Sequence, residues 1–381
     1  MFYKQKNVKM IEYQRCKRCV MDNMSDKGIV FDSNGYCNYC NEALNRMSKE
    51  YFPDEAGGKE LEKIFDNIKN EGRGKKYDCL VGISGGVDSS YVAYMGYLHG
   101  LRMLAVHIDD GMDSEIAKQN INNLCKKANI ELVLIKPDVK EYADLILSFF
   151  KASVPNLAMP QDNILLKALS DIQKEYKLKY SLNGANFSLE SILERSTGIN
   201  ASDKKHILSI HKQFGGNAIS KLRFQTLLET YISGRYFYRI KKVLPLNYIN
   251  YTLEKALIDL KDFSDYEYYG GKHYESILTR FLQCYYLPTK FGFDKRKSHY
   301  SSLIVSGQME REEAIKNLES SPYISNDLLQ SDMNFLADYL GVSRKEFDAI
   351  VELPPRQHSD YPMSSLNKMA GIARKFRHYL G

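Results

Sequence analysis

No tryptophan occurs in the 381 residues, while lysine, asparagine, isoleucine and tyrosine are frequent. An AT-rich genome imposes the same bias, so most of the lysines read as ordinary solvated surface. No run of about eighteen apolar residues is present, which excludes an obvious membrane-spanning helix. Met1 to Met10 lacks the apolar stretch of a signal peptide, and a soluble, cytoplasmic chain with no membrane attachment is expected. Internal repeats and low-complexity tracts are missing as well, which excludes a solenoid. The net charge is only +6, from 53 basic and 47 acidic residues, and does not choose between nucleic acid and small anions as partners. Seven cysteines in a cytosolic setting argue against a disulfide framework. Length and a 44% apolar fraction suit one large domain with appendages, or two domains.

What is present is concentrated in a few segments. Tyr77 to Ser90 is a short apolar strand running into a turn of glycines and hydroxyls. Gly85 and Gly86 let the backbone bring N–H groups close to an anion, and Ser84, Ser89 and Ser90 add hydroxyl donors. The helix expected from Asp88 to Gly100 points its N-terminal N–H groups at the same place. No Gly-Lys-Ser/Thr ends the loop, so the Walker pattern for γ-phosphate transfer is missing. Ser84-Gly85-Gly86-Val87-Asp88-Ser89 instead resembles the PP-loop of the ATP pyrophosphatases, a superfamily that transfers AMP to a substrate oxygen. That resemblance implies pyrophosphate contacts at Ser84, Gly85, Gly86, Val87, Asp88, Ser89 and Ser90. It also implies Mg²⁺ at Asp88, adenine contacts at His107 and Ile108, and closure over the nucleotide by Gly184.

Cys16-Lys17-Arg18-Cys19 and Cys37-Asn38-Tyr39-Cys40 are two C-x2-C pairs separated by seventeen residues, a spacing that suits a four-thiolate zinc site. Lys17 and Arg18 would offset part of the negative charge. Ile29-Val30-Phe31, entering Asp32-Ser33-Asn34-Gly35, reads as strand and turn of a small zinc ribbon. Four thiolates leave no open coordination position, so structural Zn²⁺ is expected ahead of catalytic metal, and an iron–sulfur cluster would use the same ligands. Cys79, Cys125 and Cys284 fall in apolar strand or helix patterns and read as packing residues.

After the loop, strands at Leu101 to Ile108, Glu131 to Ile135 and Lys179 to Leu182 alternate with helices at Ser114 to Ala128 and Asp162 to Tyr176. The fold class expected is α/β, a parallel-sheet PP-loop (adenine nucleotide alpha hydrolase-like) domain with an N-terminal zinc ribbon and a largely helical C-terminal region. The boundaries are 1–55 for the ribbon, 56–190 for the nucleotide domain and 191–381 for the remainder. Ligands sit beyond the carboxyl ends of parallel strands, which gathers Ser84 to Ser90, His107 to Asp110 and Asn183 to Asn186 around one cleft. In the remainder, Lys204 to Gln213 and Lys221 to Arg239 read as basic helices. Gly270-Gly271-Lys272-His273-Tyr274-Glu275-Ser276 opens an apolar-faced helix carrying Arg280. Lys290-Phe291-Gly292-Phe293-Asp294-Lys295-Arg296-Lys297-Ser298-His299 follows, and its cations could hold a carboxylate or phosphate. Ser343 with Glu346 fits a capping box, and Pro354-Pro355 separates it from a basic helix expected from Ser364 to Tyr379.

Taken in order, the cysteine quartet, the Ser-Gly-Gly-Val-Asp-Ser loop, the Gly-Gly-Lys-His-Tyr-Glu-Ser segment and the Lys-Phe-Gly-Phe-Asp-Lys-Arg-Lys segment resemble the N-acetyl sugar amidotransferase family along nearly the whole chain. That family serves bacterial surface-glycan pathways. The resemblance implies ATP-dependent conversion of an acetamido group to an acetamidino group on a sugar such as pseudaminic or legionaminic acid, through an adenylated imidate that ammonia attacks. Catalytic roles fall to Asp88, Lys272, Lys290 and Arg296, and substrate contacts to Asn186, His273, Glu275, Arg280, Lys295 and His299. ATP, Mg²⁺ and structural Zn²⁺ are the cofactors implied. The chain shows no glycine-flanked nucleophilic cysteine for releasing ammonia from glutamine. Separate partners resembling the glutaminase and cyclase subunits of imidazole glycerol phosphate synthase are therefore expected. Two rivals stand beside this reading: a tRNA-sulfurating PP-loop enzyme, disfavoured with nucleic acid generally by the interleaved acidic residues, and a non-catalytic nucleotide-binding scaffold.

Overall fold

The computed structural model describes residues 12–26, 28–195, 199–232, 238–272 and 274–365. The cysteine-bearing start is two short knuckles, each closed by one antiparallel bridge, Arg15 with Asp22 and Phe31 with Cys37. Ile29 to Phe31 makes that single bridge and not the strand expected. The Asp32 carboxylate accepts the backbone N–H groups of Asn34 and Tyr36, both at 2.9 Å, and turns the chain immediately after Phe31. Helix α1 (Asn38–Glu50) starts from Cys37, whose Sγ accepts the Cys40 N–H at 3.4 Å.

Strand and helix then alternate: α2 (Glu55–Glu71), β1 (Cys79–Gly82), α3 (Val87–Leu98), β2 (Met103–Ile108), α4 (Glu115–Lys127), β3 (Glu131–Ile135), α5 (Val139–Ala152), α6 (Met159–Glu175), β4 (Tyr180–Leu182), α7 (Phe187–Glu190), α8 (Lys204–Phe214), β5 (Lys241–Val243) and α9 (Leu253–Ser264). The five strands are all parallel, in the order β3-β2-β1-β4-β5. Along β1, Cys79 and Val81 join Phe65, Val92, Leu124 and Leu260 on one face, while Leu80 joins Leu104, Val106, Ile172 and Leu178 on the other. Both faces of β1 are covered, and Cys79, Leu80 and Val81 are all apolar for that reason.

The sheet continues past the residue-190 boundary expected from the sequence. β5 pairs with β4, and α9 packs against the core shared by α3 and α4. β5 has three residues, of which Lys241 and Lys242 are exposed, so it carries no apolar alternation to read. Lys221 and Leu222, expected to begin a helix, are instead drawn with Ser220 into a loop by the Glu141 carboxylate. It accepts their backbone N–H groups at 2.9–3.1 Å, donors that outweigh burial and hold its carboxyl down at about 2. Residues 233–237 of that stretch lie outside the described residues.

The remainder is helical: α10 (Ile277–Phe281), α11 (Leu287–Phe291), α12 (Arg296–Val305), α13 (Arg311–Leu318), α14 (Asn326–Tyr339) and α15 (Arg344–Val351), the last opened by the Ser343–Glu346 capping box. A π-type turn at Leu282–Tyr286 joins α10 to α11, where Pro288 offers no N–H to the turn before it. Phe149, Phe150, Phe281, Leu336 and Phe347 anchor a second core among α5, α10, α14 and α15. Among the described residues no helix is long and apolar enough to cross a membrane. The helix expected beyond residue 364 falls almost wholly outside the described residues.

Two buried histidines pin the end of the described chain. The Asn156 N–H donates to His358 Nε2 at 3.2 Å, so His358 Nδ1–H donates to His206 Nε2 at 3.0 Å and His206 Nδ1–H donates to the Pro362 carbonyl at 3.1 Å. Burial lowers both imidazoles, His358 to about 3, with His206 beside it adding to the effect. Below about pH 6.5 the unfolded chain therefore binds more protons than the folded one, and stability falls as pH falls from there towards 3. Chemical denaturation at pH 7 and pH 5 should register the loss, and His358→Gln should make it smaller. An identical pH slope in both proteins would contradict this account.

Candidate active site

The end of β1 turns directly into the cleft. Gly85 has φ +77°, and a Cβ there would lie 2.6 Å from the Ala117 carbonyl oxygen, so only glycine fits. Gly86 caps α3 without any side-chain acceptor, which leaves the N–H groups after Val87 in its first turn for a ligand. Ser84 and Ser89 hydroxyls lie 3.2 Å apart across the loop, and the Tyr269 hydroxyl accepts the Val87 N–H at 3.2 Å. From the opposite side, a Cβ on Gly184 would come within 2.8 Å of the Ser89 nitrogen, so the β4–α7 loop presses directly on the α3 terminus. The helical region is clamped to the β2–α4 loop by an antiparallel bridge of Asp113 with Ser276 and by Ser114 N–H to Glu275 O at 2.8 Å.

These junctions enclose a cleft of 1170 Å³. Ser84, Gly86, Val87, Asp88, Ser89, His107, Ile108 and Gly184 line its sheet side, and Lys272, Glu275, Lys295, Arg296 and His299 line the other. At the centre, Lys272 Nζ lies 3.3 Å from Asp88 Oδ2 and 3.1 Å from Glu190 Oε1, while the Tyr251 hydroxyl donates to Asp88 Oδ1. Burial alone would depress the lysine, but the two carboxylates outweigh it and raise its pKa. Two carboxylates converging on one ammonium form a cradle that suits a divalent cation, and the uncapped α3 terminus suits a polyphosphate. His107 is held on both sides, Nδ1–H donating to Ile83 O at 2.9 Å and Nε2 facing Asp113 Oδ2 at 3.0 Å. Burial lowers its pKa, Asp113 outweighs the burial, and the net direction is upward.

Several expected site residues are employed elsewhere. Gly85 lies behind the loop against Ala117, and Ser90 is wholly buried within α3; neither lines the cleft. Asn186 is the buried cap of α7, accepting the Leu189 N–H at 3.0 Å. Arg280 donates twice to Asp332, each at 2.7 Å, and once to the Tyr274 carbonyl, so its guanidinium ties α10 to α14 away from the cleft. Lys290 also lies off the cleft: its buried amine sits 4.8 Å from the Tyr286 ring centroid, and burial pulls it down to about 8. His273 lies outside the described residues. Within the cleft, Lys295 pairs with Glu194 at 2.8 Å and Arg296 with Asp294 at 2.7 Å. The sequence reading missed Glu190, Tyr251 and Asp113. Glu190 falls one helical turn past the Asn186 cap, a spacing that could have flagged it. Tyr251 had no local signal.

Away from the cleft, the Sγ atoms of Cys16, Cys19, Cys37 and Cys40 all lie within 4.8 Å of one another, and all four residues are fully buried. The Arg18 and Cys37 N–H groups donate to Cys16 Sγ at 3.4 and 3.2 Å, and Arg18 Nη1 reaches Cys40 Sγ at 3.4 Å. Donors converging on buried sulfur favour thiolates, and the set suits one tetrahedral Zn²⁺.

Comparison with known proteins matches two separate stretches of the chain. Residues 60–179 match the family model of NAD synthase, and residues 275–374 match that of the LPS biosynthesis protein WbpG-like C-terminal domain. No curated protein matches the chain. Among solved structures, NMN synthetase from Francisella tularensis is 15% identical over 54% of this chain and 92% of that one, with a TM-score of 0.28. NH3-dependent NAD synthetase from Campylobacter jejuni subsp. jejuni is 20% identical over 48% and 78%, with a TM-score of 0.29. NAD+ synthetase from Burkholderia pseudomallei is 12% identical over 62% and 96%, also at 0.29. Those scores are too low to transfer anything further. The chain carries a NAD synthase-like domain joined to a WbpG-like C-terminal domain.

The cysteine cluster yields a direct test. The purified chain should carry about one equivalent of zinc by elemental analysis. Cys19→Ser should lose it along with several kcal/mol of stability, since structural zinc contributes on the order of 10 kcal/mol in small finger peptides. Metal-free protein of undiminished melting temperature would contradict the assignment.

Proposed function

We propose that the chain is an ATP-dependent, AMP- and pyrophosphate-forming amidotransferase of the C–N ligase type, acting in the cytoplasm. It converts an acetamido group of a bacterial surface-glycan sugar to an acetamidino group, with pseudaminic or legionaminic acid as the preferred substrate. One observation carries this reading: the Asp88–Lys272–Glu190 cradle and the uncapped α3 terminus face, across one cleft, a wall built by the WbpG-like segment.

An amide oxygen is a poor leaving group and must be activated before nitrogen can replace it. The acetamido oxygen attacks the α-phosphorus of ATP, and the bond to the β-phosphate breaks as pyrophosphate departs. Ammonia adds to the resulting imidate carbon, and AMP leaves with the former carbonyl oxygen. The product is an amidinium. The α3 N–H groups and the Ser84 and Ser89 hydroxyls receive the departing pyrophosphate, Lys272 neutralises charge developing there, and Asp88 with Glu190 would hold Mg²⁺, which supplies Lewis-acid polarisation. Lys295, Arg296 and His299 orient the sugar from the α12 side, and its carboxylate is the group their charge suits. Ammonia is mostly protonated at neutral pH, so separate glutaminase and cyclase-like subunits deliver it.

Mass spectrometry of acetamido sugars, free and nucleotide-linked, incubated with the chain, MgATP and an ammonium salt, tests the reading. One carbonyl oxygen should become NH while AMP and pyrophosphate accumulate, and Asp88→Asn should slow the reaction about a hundredfold. Every sugar left unchanged, with tRNA retained tightly and in a salt-sensitive manner, would replace this reading with the sulfurating one.

A further inference from the structure

The four-cysteine module reaches the cradle through helix α1. Cys37 caps the amino end of this helix, and after its 13 residues Tyr51 caps the carboxyl end. The buried Tyr51 ring stacks on Phe187 with centroids 5.3 Å apart. Its hydroxyl accepts Gln308 Nε2–H at 3.1 Å, and the same amide donates to the Tyr251 carbonyl at 2.8 Å. Tyr251 in turn donates from its hydroxyl to Asp88. Phe187 opens the single turn of α7 that ends in Glu190. Each carboxylate of the cradle is thus held from Tyr51, Asp88 by way of Gln308 and Tyr251, Glu190 by way of Phe187. The module itself is braced from behind, where Arg311 donates to the Cys19 and Cys16 carbonyls at 3.2 and 3.1 Å and the Val20 N–H donates to Ser301 Oγ at 3.2 Å.

We infer that Tyr51 and Gln308 are positioning residues, through which the four-cysteine module sets the spacing of Asp88 and Glu190 and so the affinity of the cradle for a divalent cation. A cation gains most from carboxylates already at their bound separation, because none of its binding energy is then used in ordering them. Neither Tyr51 nor Gln308 touches the cation in this account; they act through Tyr251 and Phe187. The inference rests on the reading of Asp88 and Glu190 as the Mg²⁺ ligands, and it is independent of which sugar reacts.

The test uses the full, zinc-loaded chain and measures the dissociation constant of ATP calorimetrically with and without Mg²⁺. Tyr51→Phe removes one hydroxyl and keeps the ring stack, so the fold survives. Gln308→Leu removes both donors from the hub. In each variant the affinity without Mg²⁺ and the zinc content should match those of the unaltered chain. The gain conferred by Mg²⁺ should shrink, about tenfold for Gln308→Leu and less for Tyr51→Phe. The double variant should lose little more than Gln308→Leu alone, because the two residues act in series. A Mg²⁺-dependent gain equal to that of the unaltered chain overturns the inference, as does an equal fall in both affinities. An unaltered chain that binds MgATP in this way and converts no sugar would instead overturn the amidotransferase reading and leave this one standing.

Discussion

A single ammonium group joins three parts of the molecule that are far apart in sequence. Lys272 belongs to the segment leading into α10, Asp88 to the first turn of α3, and Glu190 to the end of α7. Without the lysine two carboxylates would face each other across a mostly buried cleft, and removing one partner of a buried ion pair is costly because it strands the other's charge. The arrangement makes the cleft conditional on a cation. Whatever occupies the cradle must be positive, and an incoming cation must either displace the lysine or draw it towards an anion. A nucleotide phosphate offers such an anion, since the α3 terminus that would bind it begins at Gly86, two residues before Asp88.

The loop and its helix were legible because their signals are local. An apolar strand, a glycine pair and a hydroxyl-rich turn lie within fourteen residues, and the cysteine pairs announce themselves by spacing. β3 was read to the residue for the same reason. What escaped was decided by competing partners, some distant in sequence and some close by. Arg280 looks like an anion ligand until Asp332 appears 52 residues later to occupy its guanidinium. Asn186 looks like a contact of the cleft, yet it is spent on capping a four-residue helix. Lys290 failed as a catalytic candidate because its own helix turns its amine onto the Tyr286 ring. The boundary at 190 failed because β5 is short and basic, and only its pairing with β4 makes it a strand.

Helix α12 explains why the cysteine cluster, far from the cleft, is tied to its architecture. One side of α12 is occupied by the module: Lys297 meets Asp22, and Ser301 receives the Val20 N–H. The other side presents Arg296, His299, Tyr300 and Leu303 to the cleft. The four buried cysteines pack with Met21, Tyr39, Tyr51, Phe187 and Val305 of α12 in one small apolar cluster, so the geometry of that wall is set together with that of the module.

The cations of the cleft are each matched to an acid, and this bears on the choice among functions. Lys272 is held by Asp88 and Glu190, Lys295 by Glu194 and Arg296 by Asp294. A surface for tRNA needs basic side chains turned outward along a groove, to release counterions from many phosphates at once. In the cleft the basic groups are drawn inward and neutralised pairwise. Such pairs suit a small ligand that exchanges one partner at a time, trading an internal carboxylate for its own phosphate or carboxylate at little net change in charge. The same pairing holds the side chains in place, so a ligand arriving at Lys272 or Lys295 meets a donor already oriented by the acid it replaces.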